Sequence, residues 1–193
     1  PVKTESPLLL RNEGGRFVEP VVLTKAALVT GAVFSDLDAD GDPDLVLACE
    51  WDSLRYFRND GGSLVEATAE SGLGAFSVLW NGVTTGDFDG DARLDLVASN
   101  WGRNWRSDPP QDVTAPVQLV FGEWGEPGVV HSLLVSRDPI SGRTMPWRSW
   151  DSLVAAIPTL GERIRSHRDF GRLNVQELLG PLFERTRTLS AGT

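Results

Sequence analysis

Nine aspartates fall in two short stretches, Asp36, Asp38, Asp40, Asp42 and Asp44 in the first and Asp87, Asp89, Asp91 and Asp95 in the second. Each stretch places acids at positions 1, 3, 5 and 9 of a nine-residue window, so a chain that curls on itself brings four carboxylates toward one centre. Together the two loops, 36–44 and 87–95, carry −8 of the formal net charge of −9. Carboxylates this dense repel one another unless a divalent ion lies between them. Hard oxygen ligands in that number suit calcium, which takes six to eight of them at about 2.3–2.6 Å. A main-chain carbonyl near position 7, from Asp42 in the first loop and Arg93 in the second, is expected to add to the carboxylates, with water completing the set.

An EF-hand begins in the same way but requires a bidentate acid at position 12. That position holds Leu47 in the first stretch and Ala98 in the second. The flanks, Gly31–Ser35 before and Leu45–Ala48 after, are short apolar runs without a helical period, which predicts strands joined by a metal-filled hairpin loop. Gly41 at position 6 suits the left-handed backbone of a tight loop. Ala92 stands there in the second loop, where that conformation costs about 1 kcal/mol, so the second calcium site is expected to be the weaker or more distorted.

The similarity reaches beyond the loops. Leu10-Arg-Asn-Glu-Gly-Gly-Arg-Phe-Val-Glu19 recurs as Phe57-Arg-Asn-Asp-Gly-Gly-Ser-Leu-Val-Glu66. The unit reads as strands at 32–35, 45–48, 54–58 and 63–67, with the acidic loop after the first and a turn at 59–62. Periods near 50 residues with four short strands per unit point to propeller blades. A third copy is degenerate: Val117–Glu123 leads into a loop whose positions 1, 3, 5 and 9 are Glu123, Gly125, Pro127 and His131, a poor calcium set.

On Phe34–Val46, Gly86–Val97 and the Arg-Asn-(Asp/Glu)-Gly-Gly turn, residues 8–131 resemble the FG-GAP or VCBS repeat of integrin α-subunit propellers and large bacterial surface and secreted proteins. The resemblance implies a mainly β chain: a partial β-propeller of two to three blades over 1–148, with calcium hairpin loops and a degenerate repeat at about 117–135. A helical segment over 149–193 is expected to follow, an insert leading to a further blade. Within it Leu153, Ile157, Leu160 and Ile164 form one apolar stripe, interrupted at Pro158, which either kinks the helix or opens a second one. Asn174 with Glu177 reads as a capping box for a short helix ending at Gly180-Pro181. Arg163, Arg165, Arg168 and Arg172 read as a solvated helix face.

Composition narrows the function. Two lysines and a strong negative charge argue against nucleic acid, since phosphate neutralisation needs clustered cations. No apolar run is long enough to insert in a membrane. The lone Cys49 lies in an apolar strand and reads as a small buried hydrophobe. Motifs for a serine nucleophile, a zinc helix or a redox cysteine pair are missing, and the only histidines are His131 and His167. Too few blades for a closed ring suggest a piece of a longer chain, with the remaining blades as its partners and open edges that invite association. The expected role is therefore non-enzymatic: a calcium-stabilised scaffold recognising protein or glycan at the cell surface, in the periplasm or outside the cell. The alternatives are the non-catalytic part of a secreted carbohydrate-active or other enzyme, or a purely structural spacer. Trp51 and Trp101 sit 15 and 14 residues past the first Asp of their loops, as blade packing requires, while the tryptophan-rich run at 100–110 offers aromatics for a ligand.

Overall fold

The computed structural model describes residues 6–23, 28–101, 115–125 and 127–191. The chain forms two compact units, Pro1–Gly102 and Arg103–Thr193. The first opens with β1 (Leu8–Leu9), β2 (Asn12–Glu13), β3 (Arg16–Phe17) and β4 (Val21–Val22), which form a hairpin ladder with β1 against β4 and β2 against β3. Then follow β5 (Leu28–Ser35), β6 (Asp44–Ser53), β7 (Arg55–Asp60), β8 (Ser63–Glu66), β9 (Ser77–Gly86) and β10 (Asp95–Asn100). Strands β5 to β8 pair consecutively and antiparallel, a complete four-stranded meander. The structure thus bears out the strands expected at 32–35, 45–48, 54–58 and 63–67, and extends the first two to eight and ten residues.

Strand β6 explains the arrangement. Its run Asp44–Cys49 is buried on both faces. Leu45, Leu47 and Cys49 pack with Leu23 and Phe57, with Leu9 alongside. Val46 and Ala48 face the other way, toward Leu54, Trp80, Val83, Leu96 and Ala98. An unbroken apolar strand of this kind must be covered on both sides, by the N-terminal hairpin and by the β9–β10 pair. At Trp51 the ladder of β6 shifts register and its far end passes to β9. Trp51 has φ 62°, a left-handed value rare outside glycine. Trp101 donates its N–H to Leu79 O at 3.1 Å, so both tryptophans border β9, the packing place their spacing suggests. Residues 102–114, most of the tryptophan-rich run, lie outside the described residues.

The first strands of successive repeats approach closely through matching glycines. A Cβ on Gly31 would lie 3.0 Å from Gly82 Cα, and the two glycines stand five residues before Asp36 and Asp87 respectively. Thr30 Oγ1 donates to Trp80 O at 2.7 Å beside this contact.

The second unit holds β11 (Val117–Gly122), β12 (His131–Arg137), β13 (Thr144–Pro146), α1 (Trp150–Ala156), α2 (Pro158–Arg163), α3 (His167–Phe170), α4 (Val175–Leu179), a 3-10 turn at Gly180–Arg185, and β14 (Arg187–Ala191). The apolar stripe is as expected, with Leu153, Ile157, Leu160 and Ile164 all buried. Pro158 opens a second helix at its first position. The Asn174–Glu177 capping box is formed, with N–H to O distances of 2.8 and 2.9 Å.

Val120, Leu133 and Val135 of the sheet share one core with the helices, and the two compact units divide at 102/103. Two expectations are corrected. The last segment is not helical throughout, because β14 returns to pair with β11, in the sheet order β13-β12-β11-β14. Arg163 is no idle surface cation: its Nη1 donates to Leu179 O at 2.8 Å, capping the C-terminus of α4. Among the described residues the strands form one complete meander and the β9–β10 pair beside it, in four small sheets of which none closes.

Gly31→Val is expected to destabilise the first unit by about 1–3 kcal/mol, since the added carbon meets backbone. A urea titration that shows no loss would mean the two strands can part at no cost.

Candidate metal centre

Both acidic loops close a hairpin at the same register. Ser35 pairs with Asp44 and Gly86 with Asp95, so residues 36–43 and 87–94 bridge the strands. Inside them the carboxylates collect loop N–H groups in matching order. Asp36 accepts from Asp40 N at 3.1 Å and Gly41 N at 3.0 Å. Asp87 accepts from Asp91 N and Ala92 N, both at 3.1 Å. The position-3 acids, Asp38 and Asp89, also take the position-5 N–H, at 3.3 and 3.1 Å. At position 7, Asp42 and Arg93 each donate N–H to the position-5 carboxylate, Asp40 or Asp91, at 2.8 Å. Finally Leu37 N reaches Asp44 Oδ2 at 3.1 Å and Phe88 N reaches Asp95 Oδ2 at 2.9 Å.

Three acids of each loop bring one oxygen apiece within 4.8 Å of one another: Asp36, Asp38 and Asp40 in the first, Asp87, Asp89 and Asp95 in the second. An all-oxygen, three-carboxylate donor set fits a hard divalent cation. Asp44, Asp42 and Asp91, expected in the sets, stand outside them. Asp44 is fully buried and takes Tyr56 Oη at 2.9 Å and Asn59 N at 2.8 Å besides Leu37 N. Its oxygens already serve the fold. Partial desolvation, followed by the facing carboxylates of Asp40, Asp44 and Asp36, raises the Asp38 pKa above its ordinary value. That is the repulsion a bound cation would relieve. Burial first, and then the bond to Asp44, push the Tyr56 hydroxyl upward, so it stays a donor.

The backbone angles bear on the strain argument for unequal loops. Ala92 does adopt the left-handed region, at φ 65°, but Ala39 at position 4 of the first loop does the same at φ 63°. Gly41 takes φ 96° at position 6 of the first loop and Gly90 takes 81° at position 4 of the second. Each loop needs two left-handed residues and fills them with one glycine and one alanine in opposite order, so neither is the more strained.

The degenerate third loop keeps the frame. Gly122 pairs with His131, so residues 123–130 bridge β11 and β12 just as the acidic loops bridge theirs. Gly128 at position 6 has φ 81°, and its N–H points to Glu123 Oε2 at 3.5 Å. The position 2 and 9 contact is now a ring stack, Trp124 on His131 with centroids 6.5 Å apart and planes 9° from parallel. Trp124 is buried in the core of the second unit. His131 here stacks on Trp124 and packs against it.

Sequence reasoning missed Tyr56 and Asn59 as the groups that lock Asp44. The signal was the duplicated Arg-Asn turn: Asn12 Oδ1 and Asn59 Oδ1 accept from Gly15 N and Gly62 N, both at 2.8 Å. The neighbouring ion pairs Arg11–Glu13 and Arg58–Asp60 match as well, at 2.6 and 2.7 Å.

Paired acidic hairpins on successive β-meander units define a β-rich repeat module. Residues 36–98, from the first loop into the strand after the second, match the FG-GAP-like repeat family, and this segment is an FG-GAP-like repeat. No curated protein and no solved structure matched the chain. No helix among the described residues is long and apolar enough to cross a membrane.

Ala39→Gly and Ala92→Gly are each expected to stabilise the metal-free chain by a similar amount, about 1 kcal/mol at most. Unequal gains in matched melting curves would restore the idea of a strained second loop. Tyr56→Phe should cost about 1.5–3 kcal/mol, since it removes a donor from a buried carboxylate, and the cost should be the same with calcium or with chelator.

Proposed function

We propose that this chain is a calcium-stabilised repeat scaffold that presents a recognition surface for a protein or glycan and carries out no chemistry of its own. The observation that carries the reading is the pair of carboxylate triads at equivalent places in two hairpins. Asp36, Asp38 and Asp40 would hold one ion, Asp87, Asp89 and Asp95 the other. Bound calcium would offset the like charge that, after desolvation, raises the Asp38 pKa, and would lock each loop against its strands. Hairpin loops of moderate affinity fill best where calcium is millimolar, which supports a periplasmic, surface or secreted setting. The non-enzymatic reading rests on the sequence, which lacks nucleophile and zinc motifs.

At about 100 times its dissociation constant a ligand adds roughly 2.7 kcal/mol per site. Two sites would then supply a substantial part of the 5–15 kcal/mol that holds a domain together. Chelation is expected to lower the melting temperature of the intact chain, and Asp40→Ala to remove most of the first site's share of that shift. A melting curve unmoved by chelator would end the calcium reading. Binding to a glycan array or to surface-protein baits, scored with and without calcium, tests the recognition half.

A further inference from the structure

One face of the sheet in the second unit changes chemistry along its length. Residues directly opposite one another on antiparallel strands share a face, so Val120 stands with Leu133 and Thr188, and Gln118 with Val135 and Ser190. Val120, Leu133 and Val135 are packed under the helices. Gln118 and Thr188 continue that face, as does Thr144 opposite Arg137 of β12, yet all three are polar and none is fully buried. Polar groups on a core-facing row must be met by water or by a ligand.

These three positions line a cavity of about 550 Å³, inside the range of small-molecule sites, about 300–1,000 Å³. Asn174 and Gln176 of α4 add two more amides, while Val120, Val175 and Phe183 give it an apolar wall. Arg143, at the start of β13, brings the one charge. Its Nη1 donates to Arg172 O, which anchors the guanidinium with one of its five N–H groups. The chain carries 27 acids against 18 bases, yet none of the described residues lining this cavity is acidic. The acids next to its lining residues are engaged elsewhere: Glu177 accepts from Asn174 N and Asp138 from Ser141 N, both at 2.9 Å.

We propose that this cavity binds a sugar bearing a carboxylate, a hexuronate residue of an acidic glycan. Arg143 would pair with the carboxylate, for which a planar guanidinium is suited. Gln118, Gln176 and Thr188 would meet the ring hydroxyls, and Phe183 with Val120 and Val175 would cover the C–H face of the ring. The combination selects the class: a neutral sugar leaves the guanidinium unmet, and an inorganic anion leaves the apolar wall unfilled. The assignment gives a ligand and a place to the glycan half of the recognition reading and rests on that half. It calls on no residue of the acidic loops, which belong to the first unit.

Calorimetric titration of the intact chain with trigalacturonate, at fixed calcium and against a ligand blank, tests this. Cellotriose serves as the neutral sugar and triglutamate as the acid without a sugar. Trigalacturonate is expected to bind with a dissociation constant of about 1 mM or tighter, and the other two about tenfold more weakly or worse. Arg143→Ala should weaken trigalacturonate about tenfold or more, since it removes a charged donor. Thr188→Phe, which fills the cavity and keeps the guanidinium, should do the same. Both residues are exposed, so each variant should keep wild-type circular dichroism. No binding of trigalacturonate, equal binding of cellotriose or triglutamate, or undiminished binding in either variant would overturn the proposal. A glycan array run with wild type and Arg143→Ala separates this from the broader reading: acidic glycans held equally by both would end this site and leave recognition standing.

Discussion

Everything in the first unit is tied to one buried carboxylate. Asp44 opens the central strand β6, is fully shielded from water, and accepts from the loop before it through Leu37 N and from β7 through both the Tyr56 hydroxyl and Asn59 N. A charge taken out of water is costly unless its oxygens are satisfied. Three donors, one from the loop and two from β7, satisfy it only when loop, strand and hairpin are all in register. The acidic loop, the doubly buried strand and the outer hairpin are consequently a single cooperative piece.

The three hairpin loops separate shape from ligand chemistry. All bridge their strands at the same register and all carry a left-handed residue at position 6. Only the first two fill the interior with aspartates; the third closes position 2 on position 9 with an indole stacked on an imidazole. The carboxylates that collect N–H groups in the acidic loops occupy positions that the loop backbone would present to a cation in any case. Strand pairing and turn conformation make the cradle, and the side chains decide what it can hold.

Much of this was legible in the sequence. The four strands of the meander, the capping box and the apolar stripe of the helices depend on local patterns, alternation, capping residues and the 3.6 period, and those patterns are written in neighbouring residues. What was not legible depended on contacts between distant residues. The pairing of β14 with β11 joins segments separated by four helices, and nothing near Arg187–Ala191 marks that strand's partner. The hydrogen bonds that hold the buried Asp44 come from Tyr56 and Asn59 as well as the loop, and those two residues lie beyond the loop and carry no metal signature. The matching backbone strain of the two loops was hidden because Ala39 occupies a left-handed position that the motif does not mark. Division at 102/103 arose from a core shared between sheet and helices, a property of packing volume that no sequence period encodes.

The matched loop lengths have an evolutionary reading. If a hairpin keeps its register whether its interior is acidic or aromatic, then the inheritance of geometry and the inheritance of metal dependence are uncoupled. A lineage can then change the side chains at positions 1, 3, 5 and 9 without renegotiating strand order. Repeats built on such a frame can drift one loop at a time, so a chain bearing acidic and non-acidic copies side by side is a natural intermediate and not a damaged one.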